Sequence, residues 1–86
     1  MVGRFSGHVQ GVGFRMTAVQ QSRGLKVNGF VRNEPDGSVL MDVEGTKRDL
    51  KELISRIQAN TSGSISDKTI DRRDPLGREG GLSITY

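Results

Sequence analysis

The chain has 86 residues, no Cys and one His, and 13 Lys+Arg against 10 Asp+Glu give a net charge of +3. Disulfides, thiol nucleophiles and Cys-ligated zinc are therefore excluded, and His-based acid–base or metal chemistry is reduced to one side chain. Both charge signs are interspersed, with neither a basic block nor an apolar run of membrane-spanning length nor an apolar leader in MVGRFSGHVQ, so the expectation is a cytoplasmic protein that meets small anions rather than nucleic acid or membrane.

Residues 2–9 read as a weak opening strand that runs into the Gly-rich turn Gly11-Val12-Gly13. Residues 14–23 suit a helix, with Phe14, Ala18 and Val19 apolar and Gly24 as its stop. A strand follows over 26–33, carrying Val27, Phe30 and Val31. Glu34-Pro35-Asp36-Gly37 has turn chemistry, because Pro presets φ at the first central position and Gly accepts a positive φ at the end. After it Val39, Met41 and Val43 alternate with Ser38, Leu40, Asp42 and Glu44, which predicts a strand with one apolar face.

Thr46 is the N-cap candidate of a second helix, with Asp49 three residues on in a capping-box pattern. Leu50, Leu53, Ile54 and Ile57 then form one apolar stripe, and Thr61-Ser62-Gly63-Ser64 ends the helix. Residues 65–72 read as a strand in which Ile65 and Ile70 differ in parity, which implies a bulge. Residues 74–81 form a Gly- and charge-rich loop expected to be mobile, and Arg72 and Arg73 read as a solvated face. Leu82, Ile84 and Tyr86 alternate as a closing strand.

The order is β-α-β-β-α-β with an extra terminal strand. Two helices with one apolar stripe each cover one face of a small sheet. The expected fold is α+β: a ferredoxin-like split βαβ sandwich, a small antiparallel sheet with two helices on one face, as one domain over residues 1–86.

The chemistry concentrates in residues 7–15, GHVQGVGFR. A strand, a Gly-rich turn and a helix opening with Arg15 would aim backbone N–H groups and the positive helix end at one point, where an anion could sit. Arg15 could clamp two of its oxygens. The competing interpretation is a tight β–α connection with an ordinary surface Arg. No Gly-Lys-Ser/Thr follows, and the third Gly and later acid of a dinucleotide fingerprint are missing. Asn33, at the end of a strand, could orient a water or could form an Asx-turn into the hairpin. His8 is either a general base or a structural residue.

Residues 7–15 and residues 29–45, GFVRNEPDGSVLMDVEG, together resemble the two signatures of the acylphosphatase family, G-x-V-Q-G-V-x-F-R and G-aromatic-small-basic-N-x-x-x-G-x-V-x-x-x-x-x-G, at every defined position. The resemblance implies hydrolysis of a carboxyl–phosphate mixed anhydride to a carboxylate and inorganic phosphate. It implies that Gln10, Gly11, Val12, Gly13, Phe14 and Arg15 cradle the phosphoryl group, and that Asn33 positions the attacking water. Residues 24–29, GLKVNG, are about two residues longer than the common form. No metal and no cofactor are expected. The expected partner is a small acyl phosphate, with phosphate as product and inhibitor, and a monomer is expected. One alternative is a non-catalytic or accessory phosphate-binding module, since related domains occur within larger carbamoyl-transfer proteins. A second is a small RNA-binding domain, which shares the split βαβ plan but stacks bases on sheet aromatics.

Overall fold

The structure, a computed structural model, describes residues 1–10, 13–61 and 64–85, including their side chains except those of His8 and Ser64. The elements run β1 (Val2–His8), α1 (Phe14–Gln21), β2 (Val27–Asn33), β3 (Val39–Gly45), α2 (Lys47–Asn60), β4 (Ser64–Asp71) and β5 (Leu82–Ile84). The expected contributions of Ser62 and Gly63 to the end of α2, and of Tyr86 to the closing strand, lie outside the described residues.

The five strands are ordered β4-β1-β3-β2-β5. β2 and β3 form the hairpin read from the turn chemistry, in register from Val27↔Gly45 to Asn33↔Val39. Its turn is closed by Glu34 N–H donating to Ser38 O at 2.8 Å and Gly37 N–H donating to Glu34 O at 3.1 Å. β1 lies between β3 and β4. Its pairing with β4 jumps from Ser6↔Asp67 to Gly7↔Ile65, leaving Ser66 as the extra residue. That bulge is what the mismatched parity of Ile65 and Ile70 requires.

The expectation of an antiparallel sheet fails at one edge, where β5 runs parallel to β2 from Gly29↔Leu82 to Val31↔Ile84. β4 ends beside Val2, at the end of the sheet where β2 begins. A chain that crosses the width of the sheet there arrives at the start of β2 and can only run alongside it in the same direction.

Both helices pack on the face that carries Val39, Met41 and Val43. Phe5, Phe14, Ala18, Val31, Leu53, Ile54 and Ile57 complete that core, and full burial of an aliphatic or Phe side chain stabilises by roughly 1.5–3 kcal/mol. α2 starts as its capping pattern predicts, with Asp49 N–H donating to Thr46 Oγ1 at 3.1 Å. From α2, Arg56 Nη1 donates to Gln21 O and Arg23 O, each at 3.3 Å, a cation placed on the carbonyl end of α1.

The opposite face corrects two expectations. Leu40, Asp42 and Glu44 alternate with the apolar row but are themselves buried, and residues 72–81 cross over Asp42 and Glu44. Asp42 accepts from the guanidinium of Arg73 and, at 2.8 Å, from Arg78 Nη2. Glu44 accepts from the backbone amides of Leu76, Gly77 and Arg78 and, at 3.3 Å, from Arg78 Nε. The segment read as a mobile loop is thus a strap tied down at several points, and Arg73, exposed like Arg72, is in addition an ion-pair partner of Asp42. Burial pushes the Glu44 carboxyl up, but the amides of Leu76 and Arg78, the Arg78 guanidinium and the Gly77 amide outweigh it and hold the group below its ordinary value. The hydrogen bond to Asp42 in turn holds Arg78 above its ordinary value despite burial.

The strap lands on β2 through Gly81 N–H, which donates to Asn28 Oδ1 at 2.8 Å, and Gly29 N–H, which donates to Gly81 O at 3.1 Å. Gly29 has φ +151, and a Cβ there would lie 1.9 Å from Asp42 O, so only glycine fits this crossing.

Candidate active site

β1 ends at His8 and α1 opens at Phe14, whose ring is buried and meets Phe5 with centroids 5.2 Å apart. That contact fixes where the helix begins. Gly13 caps it at φ 76 and ψ 20, in the left-handed region and with no side-chain cap. Among the described residues, nothing beyond its own chain neighbours comes within 4 Å of a Cβ built there, so the positive φ is what calls for the glycine. The first turn of α1 carries no acidic residue. The N–H groups and positive dipole end of this turn are thus neither capped by Gly13 nor neutralised by a local carboxylate, a setting that favours an anion.

Arg15 stands half-buried on that first turn. Asn33, the last residue of β2, is exposed, and among the described residues its side chain has no hydrogen-bond partner. The Asx-type contact in this hairpin is made by Asp36 instead, whose Oδ1 accepts from Ser38 N–H at 2.9 Å and Ser38 Oγ at 2.6 Å. These bonds, the hydroxyl's first, hold the Asp36 carboxyl below its ordinary value. Arg15 and Asn33 line the same cavity of about 180 Å³, with Val9, Gly13, Phe14, Met16 and Ile84. Such a site can hold a small tetrahedral anion beside an amide side chain able to orient water.

Of the expected cradle, Gly13, Phe14 and Arg15 line this cavity, whereas Gly11 and Val12 lie outside the described residues, as does the side chain of His8. The side chain of Gln10 turns away to the hairpin, where Nε2 donates to Glu34 O and Ser38 O, each at 2.8 Å. Sequence reasoning did not identify Val9, Met16 and Ile84 as lining residues. Only the alternation of Leu82 and Ile84 hinted at one of them, and pairing of β5 with β2 is what carries Ile84 to the site.

A larger groove of about 860 Å³ lies at the opposite end of the sheet, where α2 and the end of β4 meet, with Leu50, Ile54 and Ile70 in its wall. Of the residues in the two signatures only Gly45, the last position of the second, borders it, and neither Arg15 nor Asn33 does. The described residues include no group of three or more His, Cys, Asp or Glu side chains placed to hold a metal ion, and no helix long and apolar enough to cross a membrane. Nor do they offer a base-stacking platform on the sheet. Phe5 and Phe14 are in the core, and Phe30 lies under the guanidinium groups of Arg32 and Arg78 at 5.4 and 5.9 Å.

Residues 1–84 match the family model described as acylphosphatase. The sequence is 38% identical over 82 residues to an acylphosphatase of Anaeromyxobacter dehalogenans (strain 2CP-C), covering 94% of this chain and 88% of that protein. The fold matches the crystal structure of acylphosphatase from Bacillus subtilis with a TM-score of 0.86 at 27% identity, covering 100% of both chains. A part amounting to 12% of full-length HypF, crystallised in a phosphate- and nucleotide-bound form, shares the fold over 99% of this chain with a TM-score of 0.83 at 22% identity.

Proposed function

The chain belongs to the acylphosphatase family, and from that premise we propose that it hydrolyses a small-molecule acyl phosphate in the cavity between the start of α1 and the end of β2. The supporting observation is that Arg15 and Asn33, 18 positions apart in sequence, line one small cavity beside a helix N-terminus whose cap residue, Gly13, offers no side chain.

The chemistry asks little of the protein. Water forms a bond to phosphorus as the phosphorus–oxygen bond to the acyl group breaks. The carboxylate departs with the electron pair. Its conjugate acid has a pKa of about 4, so it leaves without a general acid. The water's proton passes to a phosphoryl oxygen of the substrate, and inorganic phosphate is released. What the chain must supply is compensation for charge on the phosphoryl oxygens and a water held in line. Arg15, with the first-turn amides of α1, supplies the first and the Asn33 amide the second. Preorganised donors of this kind are worth roughly 10²–10³ in rate each.

Benzoyl phosphate hydrolysis by the purified chain tests this reading. Arg15→Ala is expected to lose both turnover and inhibition by inorganic phosphate, and wild-type activity is expected to survive excess chelator. Near-wild-type kcat/KM in Arg15→Ala would refute the site, and a metal requirement would refute the mechanism. The alternative, a phosphate-binding module without catalysis, predicts phosphate binding by wild type with no turnover.

A further inference from the structure

Gln10 is half-buried two residues beyond the end of β1, in the loop toward α1, yet its side chain is committed to another element. Both hydrogens of its amide are used, on Glu34 O and Ser38 O, each at 2.8 Å. These carbonyls are the two sides of the β2–β3 turn. Ser38 O also accepts from Glu34 N–H at 2.8 Å, and Glu34 O also accepts from Gly37 N–H at 3.1 Å. Glu34 is therefore held through both its N–H and its C=O, and Asn33 is the residue before it. The side chain of Asn33 has no hydrogen-bond partner among the described residues. Its direction is inherited from backbone that Gln10 ties to the other half of the cavity.

We propose that Gln10 is a positioning residue for the hydrolysis, acting through the β2–β3 turn to aim Asn33 at the attacking water, while contributing nothing through its side chain to phosphate binding. The proposal rests on the acyl phosphate reading of this cavity. The asymmetry has a structural basis. Arg15 follows Phe14, which is buried against Phe5, so the phosphate side keeps its anchor when Gln10 is altered. The Asn33 side is held less firmly: Asn33 keeps its pairing with Val39 at the last position of the β2–β3 ladder, but the turn beyond it, released from Gln10, retains only its local bonds. Small misplacements of an orienting group cost much in rate: a shift of about 1 Å can lower it by roughly 10²-fold.

The test uses Gln10→Ala and Gln10→Met in the full chain, the Met variant keeping chain length while removing both donors. kcat for benzoyl phosphate is expected to fall by roughly 10- to 100-fold, with the inhibition constant for inorganic phosphate within about twofold of wild type. In an Asn33→Ala background the same changes at Gln10 are expected to have almost no further effect, because the residue they act through is gone. Unchanged kcat, parallel weakening of phosphate inhibition, or a full further loss in the Asn33→Ala background would each overturn the proposal. If wild type fails to hydrolyse the substrate, the acyl phosphate reading falls and this proposal with it. If wild type is active and the Gln10 variants match it, only this proposal falls.

Discussion

Arg15 and Asn33 face one cavity but are held in different ways, and the difference sets distinct kinetic expectations. Arg15 sits on a helix turn anchored by the buried Phe14, whereas Asn33 ends a strand and is exposed. Asn33→Ala is accordingly expected to lower kcat by roughly 10²–10³-fold, the value of one preorganised donor, while inorganic phosphate still inhibits. Steady-state kinetics with phosphate as inhibitor checks this, and loss of phosphate inhibition would assign Asn33 to the cradle. The places of both residues were legible in the sequence, at the opening of a helix and before a hairpin turn. The local pattern left each open to a plain structural reading, and only the two signatures taken together singled them out. The partners of Gln10 were not legible. Its bonds run to backbone carbonyls of a distant turn, and carbonyls exist at every residue, so no side-chain pattern announces them.

Among the elements, α2 was the easiest to read, because its apolar stripe and its cap point to the same helix. Leu53, Ile54 and Ile57 are buried and Thr46 Oγ1 accepts from Asp49 N–H. Thr46→Ala removes that acceptor and is expected to cost about 1 kcal/mol, which lowers Tm by about 4–8 °C for a chain of this size. Because α2 contributes no residue to the lining of the small cavity, kcat/KM measured well below Tm is expected to be unchanged. Paired thermal melts and kinetics decide both halves of this prediction. β3 was half legible. The alternation of Val39, Met41 and Val43 identified the inner face, but the same alternation placed Asp42 and Glu44 in water. Their burial depends on Arg73 and Arg78, which lie in a segment with no hydrophobic period to reveal where it would pack.

Over the whole molecule the strap joins one edge strand to the other and encloses carboxylates under cations and amides. Its contribution depends on pH with a definite sign. Glu44 has a folded pKa below its unfolded value, so the stability it adds is fully present above the ordinary Glu pKa of about 4.3 and is lost as pH falls through the lower folded value. Urea midpoints followed from pH 7 into acid are expected to fall in wild type. Glu44→Gln should begin lower at pH 7 and lose less on acidification, and equal slopes for the two proteins would show that Glu44 is not involved. Crossing the sheet also leaves β4 and β5 as its two edges, and this has a bearing on self-association. Exposed edges are where sheets of separate molecules zip together, since their N–H and C=O groups are unpaired on one side. β5 spans only three residues, Leu82–Ile84, too little for a stable seam. β4 is longer, but the extra residue Ser66 breaks its regular register, and Asp67, Lys68 and Asp71 put charge along it. The mismatch of Ile65 and Ile70 that looked like an imperfection of the strand thus serves to discourage strand-to-strand aggregation.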